Sequence, residues 1–281
     1  MADRVTEKLL RHIDAAHNAA LPGDRRPFRI GGHAVGWLKP DFAEALAETA
    51  GLGRDRDGGV TLPAERAAEL PGIAQALSEA TWFRWRAEEF DVRESEAGPA
   101  LTRIDRGAVP SFGIVSHGVH CNGLVRKTTG LHLWVARRAA DKLLDPGKLD
   151  HIVAGGVSAG MGTEKTLIKE AEEEAAISPA LAAGARHVCR IRYDMERAEG
   201  LRRDLLHCYD LDLPEDFVPS PSDGEVAGFE LWPIDQAFET VLETEAFKFN
   251  VNLVLIDLFL RQGLVRDATS ATALRHALTK T

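Results

Sequence analysis

Cysteine is scarce in this 281-residue sequence, at three: Cys121, Cys189 and Cys208. An odd, sparse set without C-x-x-C spacing excludes a secreted disulfide scaffold and a structural zinc site. Each cysteine lies in or beside a strand-like run and reads as a buried thiol. No window approaches about 18 uninterrupted apolar residues, so no membrane-spanning helix is expected. The N-terminus, MADRVTEKLLRHIDAAHNAA, is charged throughout and lacks the apolar core of a secretory signal. The chain therefore reads as a soluble, cytoplasmic protein. Positive charge is in deficit, with 34 Lys and Arg against 43 Asp and Glu. Without a broad basic field, nonspecific nucleic-acid binding is not expected. The deficit does not bar a small anionic substrate, because a bound metal supplies local positive charge. Internal repeats and low-complexity tracts are absent.

Hydrophobic residues make up 44% of the chain, enough for a sizeable core. The length suits one large or two modest domains. Val5 to Ala19 predicts an amphipathic helix with Leu9, Leu10, Ile13 and Ala16 near one face. Short strands are expected at 28–30, 34–38 and 60–62, with a helix opening at Pro40. Strand patterns then dominate at 112–127, 131–136, 151–154, 186–192, 203–211 and 227–232. Helices are expected at 163–177, 233–242, 250–262 and 272–278. A change of pattern near residues 95–110 divides the chain into a small α+β unit, 1–108, and a second unit, 109–281.

The most informative stretch is Gly155 to Ile177, GGVSAGMGTEKTLIKEAEEEAAI. Paired glycines open it, and a helix carrying Glu170, Glu173 and Glu174 closes it. At i, i+3 and i+4 these carboxylates share one helical face. At about 100° per residue, Ile168, Ala171 and Ala175 fall on another face, suited to packing on a sheet. Clustered carboxylates repel one another unless a cation joins them, and oxygen-only ligands suit Mg²⁺ or Mn²⁺. A glycine-rich loop running into a helix offers backbone N–H groups to phosphate. Metal and phosphate together point to cleavage of a diphosphate. The plain reading of KEAEEEA is a solvated helix face. The glycines at this offset and the aliphatic stripe weigh against it. Glu172 points away from the triad and reads as exposed and without a role.

This stretch resembles the Nudix box, G-x5-E-x7-R-E-U-x-E-E-x-G-U, with the spacing kept without a gap. Glu170, Glu173 and Glu174 fall on the three metal-binding carboxylates of that family, and Ile177 on the last aliphatic position. Met161 stands where a glutamate is usual. Lys169 replaces arginine and pairs with a box glutamate as a point charge, without the guanidinium fork. Ala176 replaces the last glycine, which implies that the helix need not end on a left-handed residue.

Three further segments sharpen the resemblance: Arg26 to Leu46, Phe112 to Lys127 and Phe247 to Gly263. They are similar to the Nudix branch attached to fungal thiamine pyrophosphokinase and its stand-alone relatives. The resemblance implies an α/β/α Nudix sandwich preceded by a smaller α+β domain. It also implies hydrolysis of thiamine diphosphate, or its damaged oxo and oxy forms, to the monophosphate.

Outside the box, His117 and His120 point to opposite faces of a strand, which disfavours a zinc pair. His120 and Asn122 are pocket candidates, together with Gly155 and Gly156. Cys121 reads as a core thiol and not as a nucleophile. Nudix enzymes bring a distant glutamate to the metal or the attacking water. Glu225 and Glu230 are the candidates, and Glu225 is favoured by its loop-to-strand position. Trp82, Trp85, Trp134 and Trp232 read as core.

The leading reading is thus a metal-dependent diphosphate hydrolase. Glu170, Glu173 and Glu174 bind metal, and Glu173, Glu174, Glu225 and Lys169 take part in catalysis. The first alternative is a hydrolase of nucleoside-diphosphate derivatives such as ADP-ribose. The second is a diphosphate-binding module without catalysis, suggested by Met161 and Ala176. The N-terminal unit is open to two roles, closing over the organic end of the substrate or holding a homodimer together.

Overall fold

The structure is a computed structural model that describes residues 4–141, 144–221 and 224–279. Helix α1, Arg4–Ala16, buries Leu9, Ile13 and Ala16 along one stripe, as their spacing requires. Strands β1 (Arg26–Ile30) and β2 (His33–Leu38) form a hairpin. Helix α2 (Pro40–Ala50) starts on a proline and stops at Gly51, φ 61°. Strand β3 (Val60–Leu62) joins β1 in parallel, and helix α3 (Leu70–Glu79) follows. Strands β4 (Glu89–Val92) and β5 (Thr102–Asp105) form a separate two-stranded sheet, followed by the short helix α4 (Val109–Phe112). Phe112 anchors this unit, edge-on to Phe28 at 5.2 Å and Phe42 at 5.0 Å.

The second unit begins with the long strands β6 (Val115–Lys127) and β7 (Gly130–Arg138) and the short β8 (Leu149–His151) and β9 (Val153–Gly156). Helices α5 (Thr163–Ala175) and α6 (Pro179–Ala182) precede β10 (Arg186–Arg197), β11 (Gly200–Asp212) and β12 (Val226–Pro233). Helices α7 (Ile234–Glu243), α8 (Phe249–Arg261) and α9 (Ala268–Leu278) follow. The main sheet runs β10-β11-β6-β7-β12, with β11 and β6 parallel. Alternation along β6 sorts its side chains into two cores. Val119, Cys121 and Val125 pack with α5, whereas Leu124 packs with α8. The result is an α/β/α sandwich.

The sheet splits in the middle. Residues Gly123–Lys127 of β6 pair with β7, but beyond them β6 turns to β9 and β7 to β8. Ile152, between β8 and β9, wedges the split open. A Cβ on Gly123 would lie 2.9 Å from the Ile152 Cγ2, so only glycine admits the wedge. The wedge delivers Asp150, His151 and Ala154 to the centre of the molecule.

The expected division at residue 108 does not describe the packing at either end. Helix α1 belongs to the second core, against α7, α8 and α9, because its apolar stripe finds its cover there. The core of the first unit continues past 108 through Phe112 and Ile114. Trp82 and Trp85 are not core residues either, at 39% and 37% exposure. They sit on the turn after α3, where Trp82 covers the edge of Phe42.

Candidate active site

Helix α5 lays Leu167, Ala171 and Ala175 on the sheet and turns its glutamates toward β9 and solvent. The three carboxylates are not equivalent. Glu170 packs over Gly155, where a Cβ would come within 2.5 Å of its Cγ and Cδ. The Glu174 carboxylate is 7% exposed and accepts a hydrogen bond from the Ala154 N–H at 2.8 Å. Glu173 is exposed and takes the Lys169 ammonium, which also reaches Glu170 at 3.4 Å. Lys169 therefore neutralises the rim of the site. Glu172 is exposed, as expected.

Burial raises the pKa of Glu170 and pushes that of Glu174 well above the usual carboxylate value. For Glu174, the charges of Asp150, Glu170 and Glu225 add to the rise, while the Ala154 hydrogen bond opposes it. Glu225 lines the same small gap as Glu174, at the head of β12. Glu230 faces elsewhere. It accepts from the Trp232 indole at 3.0 Å and lies 3.8 Å from Arg137. The fold thus brings Glu225, and not Glu230, to the box.

A divalent cation fits this donor set. Glu170, Glu174 and Glu225 are carboxylates held near one another, and burial raises the pKa of the first two, which a cation would counter. Oxygen donors of this kind suit Mg²⁺ or Mn²⁺. A second cluster, His120, Asp150 and His151, is close enough for a metal, but its carboxylate and both Nδ1 atoms are engaged. Asp150 accepts from Arg138 at 2.7 Å and from the His151 N–H at 2.9 Å, with Lys248 at 3.6 Å. Two neighbouring cations repel a third. His120 and His151 bond each other, Nδ1 to Nδ1, at 3.1 Å. Burial holds both imidazoles neutral, with His151 down to about 4.

The loop after Gly156 departs from expectation. Four of its backbone N–H groups are already engaged within the protein. Val157 donates to His117 O, Ala159 to Glu89 O, and Met161 to Ser158 O. Gly160 donates to the Asp91 carboxylate at 3.1 Å, and the Ser158 hydroxyl to Glu88 at 3.0 Å. Strand β4 and the residue before it have taken the Ala159 and Gly160 N–H groups and the Ser158 hydroxyl, so the loop is a docking edge between the two units. Phe90 of β4 completes the contact. A Cβ on Gly156 would meet its Cζ at 2.5 Å.

A cleft opens beside this contact. Phe90, Arg106, Val109 and Pro110 form one wall, and His120, Ala154, Gly155, Gly156, Lys248 and Asn250 another. The Arg106 guanidinium lies over the Phe90 ring at 5.6 Å. Gly155, Gly156 and His120 thus meet at the cleft, as the sequence suggested. Asn122 does not. It lies two residues beyond His120 on β6, beneath α8, and donates to Asp210 at 2.9 Å. Arg261 binds the same Asp210, which makes a buried network with no opening to the cleft. Cys121 is fully buried and its thiol pKa is pushed up, as for a core residue. Phe90, Asp150, His151 and Lys248 escaped sequence reading. Phe90 and Asp150 sit in short charged strands, and Lys248 directly precedes a helix, so none carries a local motif.

Helix α5 ends on a left-handed residue even without the glycine. Ala176 is left-handed, φ 53°, with its N–H on Glu172 O and the Ile177 N–H on Ala171 O. Burial of Ile177 pulls the chain back across the helix end, and the alanine accepts the strained turn.

The chain is similar to known proteins over most of its length. The NUDIX domain profile matches residues 118–253, and a profile described as a domain of unknown function, DUF4743, matches residues 8–116. Nudix hydrolase 20, chloroplastic, of Arabidopsis thaliana is 38% identical over 264 residues, covering 88% of this chain and 71% of that protein. Nudix hydrolase 24, chloroplastic, of the same plant is 38% identical over 254 residues, covering 87% and 69%. Among solved structures, DR0079 from Deinococcus radiodurans shows 22% identity and a TM-score of 0.47, covering 60% of this chain and 97% of that one. The chloroplastic relatives overturn the expectation of a cytoplasmic protein. A charged N-terminus without an apolar core argues against a secretory signal but does not distinguish among other compartments. No described helix is long and apolar enough to cross a membrane. With its box glutamates on α5, its split sheet and relatives matched over most of their length, the chain belongs to the Nudix hydrolases, which cleave diphosphate bonds.

Proposed function

We propose that the substrate is thiamine diphosphate or a damaged analogue, cleaved to the monophosphate with Mg²⁺ or Mn²⁺. The carrying observation is the seat of Phe90 on Gly156. It supports an organic group lying between the first unit and the sheet, with its phosphates at the box. Phe90, Val109 and Pro110 offer an apolar wall of the kind a heteroaromatic ring needs. Bound metal would polarise phosphoryl oxygens and neutralise developing charge. Glu170 and Glu174 would hold it, with Glu173 and Lys169 at the rim. Glu225 stands at the gap beside Glu174 and would take the proton of the attacking water.

The test is turnover of thiamine diphosphate, oxythiamine diphosphate, ADP-ribose and nucleoside triphosphates side by side. Preference for the thiamine compounds in kcat/KM supports the proposal. Preference for ADP-ribose or a nucleotide replaces it with a nucleoside-diphosphate-derivative hydrolase using the same carboxylates.

A further inference from the structure

Four backbone donors of the box loop are engaged within the protein, two of them by β4, so a diphosphate gains from a further anion seat. We infer that Lys248 and Asn250, at the start of α8, form that seat and bind phosphoryl oxygens from the cleft side. The inference rests on the diphosphate chemistry of the family and not on the identity of the organic group.

Lys248 is 9% exposed, yet its side chain reaches the cleft wall. Its nearest carboxylate is Asp150 at 3.6 Å, longer than a hydrogen bond. Asp150 already accepts from Arg138 at 2.7 Å, so one carboxylate stands between two cations. His120 and His151 add no charge, since burial lowers both imidazole pKa values. Among the described residues Lys248 therefore has no hydrogen-bonded carboxylate where water is largely excluded, and an anion reaching it from the cleft would offset its charge. The other cations of the cleft have partners of their own. Arg106 binds Glu88 at 2.7 Å, and Arg202 binds Asp204 at 2.9 Å.

Asn250 supplies the second observation. It is 5% exposed, it lines the cleft, and its Oδ1 has no partner. Its Nδ2 lies 3.4 Å from His120 Nε2, at the limit of hydrogen bonding. This amide is free to turn and donate to a ligand oxygen. Helix α8 has 13 residues, and the positive end of its dipole lies at Lys248 and Asn250. Ala154 borders both the cleft and the Glu174 gap, so a diphosphate lying across β9 touches both.

The probe is inorganic pyrophosphate in EDTA, read by thermal shift and calorimetry on the full chain. Wild type and Glu174→Gln are expected to bind it, although Glu174→Gln no longer hydrolyses substrate. Lys248→Met is expected to weaken it at least tenfold, Lys248→Arg to retain most binding, and Asn250→Ala to weaken it several-fold. With Mg²⁺ present, Lys248→Met should raise KM more than it lowers kcat. Pyrophosphate binding unchanged in Lys248→Met, or in Asn250→Ala should the former not fold, overturns the seat. No metal-free binding by wild type overturns it as well. Loss of thiamine preference in the turnover panel leaves it standing.

Discussion

Replacing Glu174 by Gln should reverse the order of stability of variant and wild type when metal is added. The folded-state pKa of Glu174 lies above its usual 4.5. Between those values the folded protein holds a proton that the unfolded chain has released. Stability from this group is therefore full below 4.5 and is lost as pH rises through the folded pKa. At neutral pH Glu174 therefore weakens the metal-free fold. Gln keeps an oxygen for the Ala154 N–H and removes the charge. Relief of the Glu170–Glu174 repulsion alone is worth about 0.2–0.5 kcal/mol, and loss of the desolvation penalty adds to it. Metal acts the other way. At a hundred times its Kd, Mg²⁺ binding only to the folded state adds about 2.7 kcal/mol. With an unfolding entropy of about 2.1 cal/mol/K per residue, that raises Tm by about 5 °C. Scanning calorimetry at pH 7.5 with EDTA should place Glu174→Gln above wild type. With saturating Mg²⁺ it should fall several degrees below. The kcat should drop at least a hundredfold, about 2.7 kcal/mol of transition-state stabilisation. A Mg²⁺ shift equal to that of wild type would refute the placement of metal at this carboxylate.

Four further outcomes follow from named contacts. Glu172→Gln should leave kcat within about twofold of wild type, and losses matching those at Glu174 would contradict the assignment of faces on α5. Glu225→Gln should lower kcat far more than Glu230→Gln, because only Glu225 shares the gap with Glu174; equal effects in steady-state assays would count against it. Ala176→Gly should stabilise by about 1 kcal/mol, since a left-handed alanine is strained, and an unchanged denaturant midpoint would contradict that strain. Deleting residues 4–19 should unfold or aggregate the chain by stripping cover from α8 and α9, whereas a soluble fragment with unchanged Tm would show that α1 is dispensable.

Glu170, Glu173 and Glu174 were legible in the sequence because a helix places i, i+3 and i+4 together whatever surrounds it. The apolar stripe of α5, the burial of Cys121 and the exposure of Glu172 follow from the same kind of periodicity. The long strands of the sheet were legible because apolar residues alternating over many positions suit a pleated strand and leave a helix no coherent face. Local pattern could not show which carboxylate is buried, so the inequality of Glu173 and Glu174 came only with the structure. Gly155 and Gly156 could be read as a phosphate loop, but their reason here is tertiary: Glu170 packs on one and Phe90 on the other. The amphipathic face of α1 announced a partner without naming it, and the partner proved to be the last helices of the chain. Asp150, His151 and Lys248 meet only because Ile152 wedges the sheet beside Gly123, a contact between residues 29 positions apart. Periodicity determines what a segment can present, and packing between distant segments decides what it meets.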